Sequence, residues 1–350
     1  MKNLSEEKKR LLHQGTVIPA HPLALNAQLQ LDEKRQRGLT KYYMASGAGG
    51  IAVGVHTTQF EIRDAGIDLF EPVLKMASEE VEAAGLDRPF LKIAGICGPT
   101  SQAVQEAELA VKHGYDMGLV SMAALGEYSE DEVIEHIAII AGIIPVFGFY
   151  LQSAIGGRVF TYNFWLKFAN TPNVLGIKVA AFNRYQTLDV VRAVCNSERK
   201  DDIALYTGND DNIVADLLTT YRFTIDNKVV EKRFVGGLLG HWAVWTQKAV
   251  ALLAEIKECV LHGTVPIEEM LVKNIQVTDM NAAIFDPAHA FHGCITGVHE
   301  VLRRQGLMEG IWTLNPKENL SPGQAEEITR VTQAYPALID DDFVKELLQK

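Results

Sequence analysis

The sequence predicts an α/β protein whose parallel strands close into a (β/α)₈ TIM barrel, followed by a C-terminal helical appendage. Short apolar runs alternate with amphipathic stretches of helical period, a pattern typical of repeated βα units. The chain has 350 residues, 47% of them hydrophobic, which is enough for one barrel with additional helices. A doubly wound open sheet remains the alternative, because the first and eighth strands are the least continuous.

Eight apolar runs are predicted to be the barrel strands. They are Thr16 to Ala20, Gly50 to Val55, Leu91 to Ile96, Met117 to Ser121, Val146 to Tyr150, Val174 to Val179, Ile203 to Tyr206 and Phe234 to Leu239. Residues 222–231 alternate with period two around Asp226 and Asn227, which predicts an inserted hairpin before the eighth strand.

From His241 onward the pattern is helical. We predict helices over residues 242–261, 267–285, 288–305 and 322–333, followed by a charged tail. The chain is therefore divided into a barrel, residues 1–240, and a second region, residues 241–350, that contains the eighth barrel helix and the C-terminal helices.

Composition narrows the possible partners. With 33 basic and 44 acidic residues the net charge is −11, which disfavours nucleic-acid binding. The four cysteines are far apart and form no Cys-x-x-Cys pair, so neither a disulfide framework nor a thiolate zinc site is expected, and a cytoplasmic location is favoured.

The first fifteen residues are too charged for a secretory signal. The uncharged stretch 137–157 is interrupted by Pro145 and glycines, so no membrane association is expected.

Lys178 is the most informative residue of the chain, because it lies inside the apolar run Val174 to Ala181. Burial disfavours the ammonium form, and a neutral amine in a dry pocket can attack a carbonyl carbon to form a Schiff base. The alternative, which this segment alone leaves open, is a lysine that reaches the rim or pairs with a carboxylate.

Further polar groups stand at the predicted carboxyl ends of other strands, where functional groups of such barrels gather. Thr57 and Thr58 follow the second strand, Tyr150 ends the fifth, Gly208 and Asn209 end the seventh, and His241 follows the eighth. Hydroxyls, a phenol and an amine facing one pocket would suffice for imine chemistry on a 2-keto acid. For His241, a helix-start or core histidine is the alternative to substrate contact or proton transfer.

Several segments, in their order along the chain, resemble the dihydrodipicolinate synthase and N-acetylneuraminate lyase family of class I aldolases. The segments are Gly15 to Ala20, Gly47 to Gly54, Pro172 to Lys178 and Leu205 to Asp210, and the 28-residue step from Tyr150 to Lys178 is similar as well. The resemblance implies that Lys178 forms the imine and that Tyr150 transfers protons. It also implies that Thr57 belongs to a hydroxyl relay and that Thr58 binds the keto-acid carboxylate. On the same resemblance, the protein is expected to be a homotetramer, built as a dimer of dimers. The imine chemistry itself requires no metal or organic cofactor, because the protonated imine is the electron sink.

The departures from the family pattern indicate a different second substrate. The family's Gly-Thr-Thr-Gly-Glu loop is replaced by His56 to Glu61, which lacks both glycines. Ile155 follows the fifth strand, and Arg158, a candidate substrate-binding residue, is displaced by three positions from the family's arginine. The paired tyrosines that the synthases carry after the fourth strand are missing from residues 122–128. We therefore predict a dihydrodipicolinate synthase-like lyase that is not a true dihydrodipicolinate synthase.

Other functions remain as alternatives. A sugar-acid dehydratase or a hydratase-aldolase would use the same imine, and a non-catalytic keto-acid-binding protein would keep the barrel and its pocket. A metal-dependent aldolase is disfavoured, because no His-x-His or His-x-x-x-His follows a predicted strand. His289, His292 and His299, near Asp286 and Cys294, could share a helix face as metal ligands, but packing or rim histidines are favoured there. The expected partner is thus a small 2-keto acid.

Overall fold

The computed structural model describes residues 2–153 and 156–349, and its centre is a barrel of parallel strands. The strands are β1 (Val17–Pro19), β2 (Gly50–Val53), β3 (Leu91–Ile96), β4 (Met117–Ser121), β5 (Val146–Leu151), β6 (Val174–Ala180), β7 (Ala204–Thr207), β8 (Thr220–Ile225) and β9 (Lys228–Leu239). All except β8 are parallel, in the order β1-β9-β7-β6-β5-β4-β3-β2. A parallel bridge between Ala20 and Ala52 joins the two ends. The predicted barrel is confirmed, and the open doubly wound sheet is wrong.

Helices surround the barrel and continue after it. They are α1 (Glu6–Gln14), α2 (Glu33–Ala45), α3 (Phe70–Ala83), α4 (Thr100–Lys112), α5 (Glu130–Ala141), α6 (Tyr162–Asn170), α7 (Arg184–Asn196), α8 (Ile213–Leu218), α9 (Thr246–His262), α10 (Ile267–Phe285), α11 (Cys294–Arg304), α12 (Gln324–Ala334) and α13 (Asp341–Leu348). Helices α2 to α9 each follow one barrel strand, which is the alternation that the sequence predicts.

Two predicted helix starts are wrong. The helix predicted from residue 288 begins only at Cys294, because α10 ends in a left-handed Asp286 and a short 3₁₀ turn follows. The helix predicted from residue 242 begins at Thr246, after a 3₁₀ turn and a left-handed Trp245. Helix α13 lies in what the sequence suggested was only a charged tail.

The predicted hairpin is present, but it is not a separate insertion. Strand β8 pairs antiparallel with the first half of β9 around Asp226 and Asn227, both at positive φ. Strand β9 then continues without a break into the barrel, so its twelve residues belong to both structures. The start predicted at Phe234 therefore lies in the middle of one strand.

The amino-terminal end of the barrel is covered by α1. Leu12 is fully buried among interior side chains, and the Tyr206 hydroxyl donates a hydrogen bond to its carbonyl oxygen at 2.9 Å. At the edge of the same end, Lys8 Nζ lies 2.7 Å from Asp116 Oδ2. The opposite end, where the strands have their carboxyl termini, carries the pocket. No helix in the described part of the chain is long and apolar enough to cross a membrane.

Candidate active site

Lys178 points into the barrel from β6 and is only 8% exposed. Its Nζ lies 4.3 Å from the centroid of the Phe149 ring on the neighbouring strand. Burial lowers the pKa of Lys178 to about 8, although the charge of Asp210 acts in the opposite direction. Within the described residues no carboxylate is close enough for an ion pair with this amine, so the surface or ion-paired lysine considered above is not what the structure shows.

Asp210 shares the pocket with Lys178. It follows β7, the strand next to β6, and its Oδ1 accepts a hydrogen bond from the backbone N–H of His241 at 3.3 Å. Burial raises the pKa of Asp210 to about 7, partly offset by the charge of Lys178. An amine and a carboxyl group that both titrate near neutral pH can exchange protons with a bound substrate. The sequence analysis did not select Asp210 as a site residue. Its position at the end of the strand next to that of Lys178 could have indicated it.

The pocket around these two groups is largely apolar. Its lining residues are Ala20, Val55, His56, Thr57, Phe149, Leu151, Gln152, Lys178, Ala180, Phe182, Gly208, Asp210, Gly240, Phe285, Phe291 and Cys294. Phenylalanine rings thus come from β5, from the segment after β6, and from the end of α10 and the turn that follows it. A few polar groups inside an apolar cleft are typical of sites for small molecules.

Gly208 is brought directly against the lysine. A Cβ atom at this position would lie 2.6 Å from Cε of Lys178 and 2.9 Å from Cβ of Ala180. The glycine is needed for the lysine side chain to lie along the strand end, and its predicted contact with substrate stays a prediction.

Of the two predicted threonines, only Thr57 is available to a ligand. Its Oγ1 is buried and makes no hydrogen bond with the described residues. Oγ1 of Thr58, in contrast, donates to the carbonyl oxygen of His21 at 2.6 Å and accepts from the N–H groups of Gly54 and Val55. Thr58 therefore fixes the end of β2, and its predicted placement on a substrate carboxylate does not fit this geometry.

His56 lines the pocket. The sequence analysis considered it only as a replacement for a glycine of the family's loop. Burial, and secondarily the charge of Lys178, lowers the pKa of His56 to about 4. Its imidazole is therefore neutral near pH 7 and can donate or accept one hydrogen bond at the pocket wall.

Tyr150 is not brought to the lysine. The pairing of β5 with β6 shifts by one residue after Val146 and Val174, so that Phe149 lies opposite Lys178 and Tyr150 opposite Val179. The Tyr150 ring points away from the barrel interior and packs against Trp165, with 4.9 Å between the ring centroids. The expected juxtaposition of the phenol and the amine is wrong, because a 28-residue spacing does not reveal the bulge.

Three further predicted residues are not among those that line the pocket. The Arg158 guanidinium donates to the carbonyl oxygens of Leu125 and Tyr128 and does not line the pocket. The Asn209 side chain accepts from the N–H of Phe182 and donates to Asp216. The His241 ring is buried beside Trp245, which lies 5.9 Å away between centroids, and burial lowers its pKa to about 4. Arg158 and Asn209 therefore hold loops around the pocket, whereas Nδ1 of the buried His241 ring makes no hydrogen bond with the described residues. Ile155 lies outside the described residues.

The C-terminal histidines do not share a helix face, since α11 begins after two of them. His289 Nδ1 lies 2.6 Å from Asp286 Oδ1 on the surface, whereas His299 is fully buried and burial lowers its pKa to about 4. Within residues 2–153 and 156–349, no group of three or more His, Cys, Asp and Glu side chains could hold a metal ion.

Comparisons with known proteins place the fold. No family model and no curated protein matches the sequence. Among solved structures, dihydrodipicolinate synthase from Oceanobacillus iheyensis matches with a TM-score of 0.73 and 17% identity, over 94% of this chain and 99% of that chain. N-acetylneuraminate lyase from Fusobacterium nucleatum matches with a TM-score of 0.70 and 16% identity, over 92% and 99%. CdNal from Clostridium difficile, solved in complex with mannosamine, matches with a TM-score of 0.71 and 15% identity, over 92% and 99%. The resemblance seen in the sequence thus extends, at the level of architecture, to more than nine-tenths of the chain, and the protein has the barrel fold of the dihydrodipicolinate synthase and N-acetylneuraminate lyase structures.

Proposed function

We propose that this protein is a lyase that forms a Schiff base between Lys178 and the carbonyl carbon of pyruvate or another 2-keto acid. The observation that carries the proposal is a buried lysine, without an ion-pair partner among the described residues, at the pocket end of a barrel strand. The lowered pKa of Lys178, about 8, leaves a useful fraction of the amine neutral near physiological pH. One structure of similar fold, N-acetylneuraminate lyase from Fusobacterium nucleatum, was solved complexed with pyruvate.

The pocket supplies the groups that this chemistry needs. The neutral amine attacks the keto carbon, and the resulting carbinolamine loses water to give a protonated imine, which acts as an electron sink for the bond made or broken next to it. Asp210 is the group best placed to deliver and accept protons in these steps, because it faces the same pocket and titrates near neutral pH. The unpaired hydroxyl of Thr57 supplies a hydrogen bond to a substrate oxygen.

The same site disfavours a true dihydrodipicolinate synthase. Arg158 is held by two backbone carbonyls outside the pocket, so it does not meet the carboxylate of a second substrate. Among the lining residues, Lys178 is the sole basic side chain other than the neutral His56. A hydratase-aldolase is the second candidate, favoured by the phenylalanine rings of the pocket. A sugar-acid dehydratase is less well matched by these apolar walls, and a non-catalytic keto-acid binder would differ in failing to turn over.

The direct test is reductive trapping. Incubation with pyruvate and borohydride should convert the imine to a stable secondary amine on Lys178, which peptide mass mapping would locate. Lys92 is a matched internal control, because it is also a buried strand lysine, but its amine is hydrogen-bonded to Ser78 and Glu82. Equal labelling of Lys92, or labelling that persists in Lys178→Ala, would contradict the proposal.

A further inference from the structure

A second cavity adjoins the pocket of Lys178, and three phenylalanine side chains line both. Phe182, Phe285 and Phe291 line both cavities, together with Asp210. Phe182 follows β6, whereas Phe285 ends α10 and Phe291 belongs to the turn between α10 and α11. The barrel and the C-terminal helices therefore build this aromatic site jointly.

Two of these rings are held in place at some conformational cost. Phe182 and Phe291 both have positive φ, 50° and 65°, which a bulky side chain rarely adopts. Their rings meet edge to face with centroids 6.0 Å apart. The N–H of Phe182 donates to Asn209 Oδ1 at 2.9 Å, and that of Phe291 to the carbonyl oxygen of Asp286 at 3.0 Å. Backbone strain that the surroundings maintain is concentrated at functional sites, which points to a role for these two rings beyond packing.

The charges around the two cavities restrict what can occupy them. Among the described residues, no lysine or arginine other than Lys178 lines either cavity, and Asp210 and Asp211 line the second one. A ligand with its own carboxylate or phosphate would be repelled there and would find no cation. A polyhydroxylated chain would leave most of its hydroxyls facing phenylalanine rings, at the cost of their hydrogen bonds to water.

We infer that the second substrate of the reaction is an aldehyde carried on an apolar, preferably aromatic, group that packs against Phe182, Phe285 and Phe291. This inference rests on the proposed function. In the condensing direction, the enamine formed from the keto acid attacks the aldehyde carbon, the aldehyde oxygen takes up a proton, and water then hydrolyses the imine to release Lys178. Cleavage is the same sequence in reverse. The phenylalanine rings can contact a bound aromatic ring edge to face. Such contacts favour an aldehyde with an aromatic group over one with an aliphatic group.

The test compares aldehydes at fixed pyruvate concentration, with trapping at Lys178 measured in parallel on every variant. We expect benzaldehyde to be consumed with a kcat/KM about 10-fold to 200-fold above that of glyceraldehyde or aspartate semialdehyde, the range that one apolar subsite commonly provides. Phe291→Leu should reduce that preference by about tenfold or more, while the parallel trapping with pyruvate shows whether its Lys178 still forms the imine. Phe223→Leu, on the β8 hairpin far from the pocket, is the matched control and should change neither.

The outcomes separate the two proposals. Trapping at Lys178 with no preference for benzaldehyde, or with a preference that Phe291→Leu does not alter, would overturn the inference and leave the proposed function standing. No trapping in the wild-type protein would refute the proposed function itself, and the inference would fall with it.

Discussion

Lys178 and Asp210 line the same pocket, so the charge of each alters the proton affinity of the other. Burial lowers the pKa of the amine to about 8 and raises that of the carboxyl group to about 7. Their mutual attraction acts against both shifts and favours the charged pair. Because the two groups interact, their protons are lost in two steps whose pKa values belong to the pair and not to either residue alone.

Replacing Asp210 with asparagine should shift the pH dependence of imine formation. The carboxylate charge raises the pKa of Lys178, so its removal lowers that pKa further below about 8, and the amine becomes neutral at a lower pH. The midpoint of the trapping rate against pH should therefore move to lower pH. Turnover should fall by about 10² to 10⁴ if Asp210 transfers protons.

The initial rate of borohydride trapping across pH measures the shift in Asp210→Asn. Asp189→Asn is the control, because Asp189 lies on α7 in an exposed ion pair with Arg192 and lines neither cavity. An unchanged midpoint in Asp210→Asn would show that the two groups are not coupled.

Replacing Tyr150 with phenylalanine should leave both turnover and stability nearly unchanged. The ring packs against Trp165 on the outer face of β5, and its hydroxyl makes no hydrogen bond with the described residues. Thermal unfolding and turnover are measured together, with Lys178→Ala as the inactive reference. A large loss of turnover at an unchanged melting temperature would mean that Tyr150 reaches the substrate after all.

Sequence reasoning identified Lys178 because a single basic residue inside a long apolar run has few structural explanations. It could not assign Tyr150 or Thr58. Both faces of a buried barrel strand are apolar, so alternation does not reveal which side chain points inward. From the sequence alone, a threonine whose hydroxyl binds backbone groups cannot be distinguished from one whose hydroxyl binds a ligand. Asp210 was visible in the sequence, but the structure was needed to show that it and Lys178 share a pocket.

At the scale of secondary structure, strands and most helices followed from periodicity, whereas irregular connections did not. The shift between β5 and β6 and the turn between α10 and α11 both depend on local backbone conformation that hydrophobic patterns do not encode. These two irregularities decide which side chains face the pocket. The shift places Phe149 beside Lys178, and the turn presents Phe291.

The turn between α10 and α11 is held by the carboxylate of Asp286, which accepts hydrogen bonds from the Ser321 hydroxyl at 2.5 Å and the N–H of Gly293 at 3.2 Å. Burial alone would raise its pKa, but the hydrogen bonds from Ser321 and His289 outweigh burial and lower it. The stabilisation is therefore present at neutral pH and is lost as the pH falls through this lowered pKa.

Asp286→Asn should destabilise the protein by about 1.5 to 3 kcal/mol, the usual worth of hydrogen bonds to a charged group. Asparagine tolerates the left-handed backbone of this position, so the change isolates the carboxylate. Thermal or urea unfolding at pH 7 provides the measurement. Glu327→Gln, at an exposed ion pair with Arg330, is the control and should cost less than about 1 kcal/mol. Equal stability of the two variants would argue against this role of Asp286.

At the scale of the whole molecule, one surface is unusually apolar. Ile267, Leu271, Val272 and Ile275 lie along α10 and are 46% to 66% exposed, and Leu261 at the end of α9 is 71% exposed. Apolar patches of this kind on a folded protein commonly mark contacts with another chain. We propose that this patch is a contact between subunits of the homotetramer that the family resemblance implies.

Light scattering should therefore report a tetramer for the wild-type protein and a smaller assembly for Ile275→Lys. Val229→Lys introduces the same charge at an exposed valine of the hairpin and should leave the tetramer intact. A monomer over a wide concentration range, or a tetramer unaffected by Ile275→Lys, would contradict the proposal.

The helix that covers the amino-terminal end of the barrel has a kinetic consequence. Since α1 fills that end with Leu12, we expect both substrates of the proposed reaction to reach Lys178 from the carboxyl end of the strands, where phenylalanine rings line the pocket. The keto acid must then enter first, because an aldehyde already seated against those rings would obstruct its path to the amine. For the proposed reaction we therefore expect a compulsory order of addition, with an excess of the aldehyde inhibiting competitively with respect to the keto acid.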